Sequence, residues 1–176
     1  AKTPLEEPAK DALALHFPLN EAARVFQGIS SGQPASWTET REVFEGLTGP
    51  APIASGQPIS GGAPVMAREG KASYGLMIRS EAKASGAILS RMDAALAFRG
   101  WDLFLSAGRP TVHIVDQWPD KALKVTAKTA LTDGVWHHLL VVFDGTRPGP
   151  EAISLYADGV LQPVDVEQNN LGPDIS

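Results

Sequence analysis

The chain has 176 residues, 15 Lys and Arg against 20 Asp and Glu, and a formal net charge of −5. That length closes a hydrophobic core without staples, and the acidic balance argues against a nucleic-acid partner, which would want a basic patch. There are no cysteines, which excludes disulfides, thiolate metal sites and a cysteine nucleophile. Seventeen glycines and fourteen prolines exceed the usual share of roughly 12% for the two together, favouring many turns and few long helices.

Residues 1–11 read as a polar lead-in with Pro4 and Pro8. Glu6, Glu7 and Pro8 stand where a secretory signal would need its apolar stretch, so no signal is visible. One domain is expected over residues 12–176. Residues 12–17 fit a first strand stopped by Pro18, and Asn20 fits the cap of a short helical turn through Phe26. Residues 28–64 are dense in Gly, Pro and Ser, with a strand-like island at 41–46. From residue 72 the period becomes two: Tyr74, Leu76 and Ile78; Ala87 and Leu89; Trp101, Leu103 and Leu105; Val112 and Ile114; Leu123, Val125 and Ala127. Residues 80–85 read as a loop. Val135 to Asp144 is apolar on both faces, which predicts a strand covered on both sides. Asp133-Gly134, Asp144-Gly145 and Asp158-Gly159 mark turns, and the last predicts a hairpin with a type I′ turn. Eight or more short strands with regular turns mean an all-β sandwich or barrel. The longest apolar strand-like run, Leu139 to Phe143, is far short of the roughly 20 residues that span a bilayer.

The stretch from Leu131 through Trp136, His137, His138, Phe143, Asp144 and Gly145, followed by Ile153 to Gly159, resembles the laminin-G-like / concanavalin-A-like jelly-roll family. Ile88 to Arg91 and Gly100 to Leu103 are similar to the two strands that precede that block, Val43 to Gly46 to the family's Phe-Asp-Gly, and His16 to Leu19 to its opening strand. The likeness covers residues 13–171 and is specific only over Trp136–Gly159. The wording Arg99 to Asp102 and Trp118-Pro119 resembles the version found in large bacterial surface or periplasmic proteins that also carry cytochrome-c-like modules. The resemblance therefore implies a two-sheet antiparallel jelly roll, an extracellular or periplasmic setting and a place in a multi-domain protein. The family's closing strand, Gly-x-Ile-Asp-(Asp/Glu)-Val-Arg, has no counterpart up to Ser176. The strand is either absent or supplied by further sequence, and its absence would leave a sheet edge open to pairing.

Catalytic patterns fare poorly. Related glucanases carry Glu-x-Asp-x-x-Glu on one strand, and no such string occurs. Glu42 and Glu45, three apart, fall on opposite strand faces, and Asp165 with Glu167 reads as solvated edge charge. Gly28 to Gly32 matches G-x-S-x-G, but Pro34 and the absence of a following helical pattern make it a loop. No nucleotide-binding glycine motif occurs. His137 and His138 alternate across a strand and cannot share one ion, so the histidines read as buried or hydrogen-bonded. No cofactor is expected. Calcium at a loop end is the minority alternative, with Asp116, Asp120, Asp133, Asp144 and Asp158 as loop carboxylates.

Trp101 and Trp136 fall in strand patterns and are expected in the core, whereas Trp37 and Trp118 lie among loop residues. Asp116, Gln117, Trp118 and Asp120 combine one aromatic ring with polar side chains in a single loop, the pattern with which a surface stacks on a pyranose and holds its hydroxyls; the competing reading, which a single aromatic favours, is a Trp118 folded down as a lid over the sandwich edge. The expected function is non-catalytic recognition of a polysaccharide or other glycan, without nucleic acid and without membrane insertion. A structural domain that docks on neighbouring domains, with no sugar ligand, is the alternative from another class, and a degenerate glycoside hydrolase is the third.

Overall fold

A computed structural model describes residues 66–81, 83–173 and Ile175. Within 1–65 it describes the backbone of five strands. The chain divides into two compact units, Ala1–Pro64 and Val65–Ser176.

In the first unit, β1 (Leu15–His16), β2 (Val25–Ser30) and β3 (Gln33–Thr38) form an antiparallel three-stranded sheet, and β4 (Val43–Glu45) pairs with β5 (Pro50–Pro52). Leu15–His16 and Val43–Glu45 fall within the strands expected at 12–17 and 41–46, whose other residues lie outside the described ones. Three readings change. Phe26 lies in β2 rather than a helical turn, and Trp37 lies in β3 rather than a loop. Gly28 to Ser30 of the G-x-S-x-G match is likewise strand, paired with β3 from Gly28↔Ala35 to Ser30↔Gln33. Asn20, Glu42, Ser31 and Gly32 lie outside the described residues.

The second unit is a two-sheet antiparallel all-β sandwich, compatible with a jelly roll. Its strands are β6 (Lys71–Arg79), β7 (Gly86–Asp93), β8 (Arg99–Ser106), β9 (Arg109–Gln117), β10 (Lys121–Ala127), β11 (Trp136–Asp144), β12 (Ile153–Ala157), β13 (Val160–Leu161) and β14 (Val164–Asn169). One sheet runs β14-β10-β9-β8-β7 and the other β13-β12-β11-β6. Short 3₁₀ turns at Ala94–Leu96 and Gly149–Ala152 complete it. Among the described residues no helix is long and apolar enough to cross a membrane.

Alternation builds the core. Leu103, Val112, Ile114, Leu123 and Val125 point inward from the five-stranded sheet, and Leu139, Val141, Phe143 and Leu155 meet them from the other; all are essentially solvent-free. Tyr74 of β6 lies against Trp101 of β8 with ring centroids 4.3 Å apart, which fixes the contact between the layers. The Tyr74 hydroxyl donates to the Asp102 carbonyl at 3.3 Å. Burial, reinforced by the Asp102 charge, pushes its pKa well above that of a free tyrosine.

β11 is covered on one side only. Leu139, Val141 and Phe143 are buried, but Val142 is 37% exposed and His138 is open to solvent. The expectation of two covered faces fails because Leu140 and Val142 are apolar without a layer to receive them. Trp136 also leaves the core: it is half-buried, with the Arg79 guanidinium 5.7 Å from its ring centroid. The Asp158-Gly159 hairpin is as expected, with Ala157 opposite Val160 and φ of 51° and 78° at the two turn residues.

Candidate functional site

The loops of interest gather at one end of the five-stranded sheet. Gln117 pairs with Lys121 and Val115 with Ala122, so Asp116 is the extra residue of a β-bulge and Trp118-Pro119-Asp120 is the connecting turn. The Trp118–Pro119 bond is cis. A bulge re-aims the side chains beside it. Asp116, only 4% exposed, turns back to Arg99, whose Nη2 donates to its Oδ1 at 3.2 Å and whose Nε donates to its carbonyl at 3.3 Å. Gln117, Pro119 and Asp120 stay exposed. Of the four residues singled out from the sequence, Trp118 and Asp120 therefore share the turn, Gln117 ends β9 beside it, and Asp116 anchors its root.

Trp118 is half-buried and folds onto the sheet face that points away from the sandwich core. Its ring meets His113 edge-on at 5.4 Å, and His113 meets Phe104 edge-on at 5.8 Å. Beneath this ridge lies Asp102, directly opposite His113 in the β8–β9 register. Its Oδ1 accepts from the His113 ring Nδ1 at 2.7 Å and from the His113 backbone N–H at 3.2 Å. Because the Asp102 carboxylate only accepts, that bond places a hydrogen on Nδ1. Along the same sheet face, Lys124 opposes His113, and its Nζ lies 2.7 Å from Glu167. Glu167 is the extra residue of a second bulge, in β14, and it also accepts from the Thr126 hydroxyl. These hydrogen bonds hold its carboxyl below the usual glutamate range, Lys124 contributing most.

Asp102, Phe104 and His113 escaped the sequence reading. Their chemistry depends on which residues face each other across β8 and β9, and the pattern of a single strand does not contain that register.

A second polar cluster sits where two of the Asp-Gly turns meet β11. His137 Nδ1 donates to Asp158 at 2.6 Å and Nε2 donates to Asp133 at 2.9 Å. Both nitrogens can donate at once only when the ring is protonated. The bond to Asp158, then that to Asp133, raises its pKa, and His137 in turn lowers both aspartates. Asp158 also accepts from the His138 backbone N–H at 2.8 Å. His137 thus bolts two turns to the sheet. Because its two nitrogens point in opposite directions, the three side chains cannot converge on one ion, and no metal-ligating cluster occurs among the described residues.

A surface groove of about 580 Å³ lies between Arg68, Arg147 and Gly172. Arg68 is committed to structure there, donating to the carbonyls of Gly172 at 3.2 Å and Gly145 at 3.1 Å. Asp165, paired with Arg109 and Lys128, is an edge charge as expected.

No family model, curated protein or solved structure matches this chain. The fold itself defines the class: an antiparallel all-β sandwich with an aromatic ridge on the outward face of its larger sheet.

Proposed function

We propose that the Val65–Ser176 unit is a non-catalytic recognition module of the laminin-G-like, concanavalin-A-like kind, binding a polysaccharide as part of a larger extracytoplasmic protein. The observation that carries this reading is the Trp118 turn. An aromatic ring seated against His113 at 5.4 Å is held in place before any ligand arrives, and Gln117 and Asp120 stand exposed beside it. A fixed ring spends little conformational entropy on stacking, and the flanking amide and carboxylate suit sugar hydroxyls. The sequence resemblance over Trp136–Gly159 supports the same assignment. Retention of the full chain on insoluble polysaccharides, with Trp118→Ala alongside, tests it. Wild-type retention and a large loss in the variant are expected. Equal retention of both proteins would remove Trp118 from the site.

One observation favours a docking role instead. Val160, Leu161 and Val166 are 62%, 57% and 48% exposed on β13 and β14, the outermost strands of their sheets on one side of the sandwich. Open strand edges carrying apolar side chains suit a protein neighbour. Val160→Asp together with Val166→Asp would abolish such docking and leave glycan retention intact.

A further inference from the structure

The turn bearing Trp118 is stapled to its neighbour. The Trp118 backbone N–H donates to the Ala97 carbonyl at 2.9 Å, in the loop between β7 and β8. Arg99, at the end of that loop, grips Asp116 at the root of the other. Asp93 secures the loop's beginning by accepting from the Ala95 N–H at 2.8 Å. Covalent geometry across the Trp118–Ala97 bond places the Cα atoms of Phe98 and Trp118 within about 8.5 Å of each other.

This neighbouring loop is built in an unusual way. Ala97 and Phe98 both have left-handed backbones, with φ of 51° and 60°, where glycine or asparagine would be at ease. An aromatic residue rarely adopts that conformation, and backbone held against its preference concentrates at binding sites. What the conformation achieves here is display: Phe98 is 49% exposed and Leu96 is 50% exposed, beside the Trp118 turn.

We propose that Phe98, with Leu96 beside it, supplies the second half of the binding surface, so that Phe98 and Trp118 form a two-ring platform for a neutral polysaccharide chain spanning at least two sugar units. The proposal rests on the glycan reading of Trp118 and adds to it a second contact and a ligand class. The two loops offer no basic surface: Asp93, Asp116 and Asp120 outnumber Arg99 and Lys121, and Arg99 is turned onto Asp116. An anionic bilayer or a strongly acidic glycan would call for an excess of basic side chains, which these loops lack. Two rings on loops tied by three hydrogen bonds present a surface already in its bound arrangement, which favours an extended chain over a single sugar.

Calorimetric titration of the full chain with xylohexaose, laminarihexaose and chitohexaose, each beside its monosaccharide, tests the proposal. At least one hexasaccharide should bind, its monosaccharide at least tenfold more weakly. Phe98→Ala should weaken the hexasaccharide about three- to tenfold, as expected for loss of one stacking ring, with an unchanged thermal midpoint because the side chain is exposed. If a hexasaccharide binds, Trp118→Ala abolishes it and Phe98→Ala leaves it unchanged, the two-ring platform is wrong while the Trp118 site stands. A monosaccharide that binds as tightly as its hexasaccharide also rejects the platform. If wild type binds none of them, the glycan reading and the platform fall together.

Discussion

Asp102 carries a carboxylate that is 5% exposed on a sheet face directed away from the sandwich core. Its one oxygen receives both the ring and the backbone hydrogen of His113. Removing an acceptor strands two donors at once, and stranded buried donors cost more than the lost bond returns. Asp102→Ala is therefore expected to destabilise the protein by about 1–3 kcal/mol, and Asp102→Asn by less, because the amide keeps an acceptor oxygen. Urea denaturation of the two variants decides it; equal effects would mean the His113 bonds contribute nothing.

His137 makes a prediction in pH. Its pKa is raised, so its bonds to Asp158 and Asp133 contribute fully below the ordinary histidine value of 6.5 and fade as pH rises through the raised one. Both aspartates are depressed, so their contribution is full above the ordinary value of 3.8 and fades as pH falls through the lowered ones. The clamp is complete between those two values. His137→Gln should lower the thermal midpoint more at pH 5.5 than at pH 9. A loss that does not change with pH would show that the ring acts by shape and not by charge. The sequence marked both aspartates as turn residues, which they are. Their second task, holding His137, was invisible because it needs two turns brought to one strand.

Strands β6 to β12 were legible because their side chains alternate and their turns are written in Asp-Gly and Pro. β14 was not: Val164 and Val166 are too few to outweigh Asp165, Glu167 and Gln168 in a period-two reading. The bulges at Asp116 and Glu167 were also hidden, since one added residue leaves no compositional trace yet decides where Trp118 and Glu167 point. β11 was found but misjudged. Its apolar outward residues mimic a strand buried twice, and the error has a measurable form. Leu139→Ala should cost about 2–5 kcal/mol, the range for a large core residue truncated without collapse. Val142→Thr, one strand position from buried Val141 or Phe143, should stay within about 0.5 kcal/mol. A large penalty at Val142 would restore the second covering layer.

At the scale of the molecule, the sandwich packs Leu103, Val112, Ile114, Leu123 and Val125 between its sheets, while Asp102, His113 and Trp118 share the opposite face of the larger sheet with buried Thr111, Val115, Ala122 and Thr126. The two sides of that division were read unequally. Burial follows from alternation and could be seen in the sequence, whereas the partnership of Asp102, His113 and Trp118 arises only when β8, β9 and the turn after them are assembled. Trp118 itself was found because a tryptophan among exposed polar residues is conspicuous. Phe98 was missed because nothing in the chain signals a left-handed backbone at an alanine and a phenylalanine. The proposed role, recognition without bond cleavage, is tested most directly by electrophoresis of the full chain through gels containing xylan, laminarin or glycol chitin, with reducing ends counted in the same gels. Retarded migration in at least one gel, with no new reducing ends, is the expected result. Unretarded migration in all three, or retardation accompanied by chain cleavage, would contradict it.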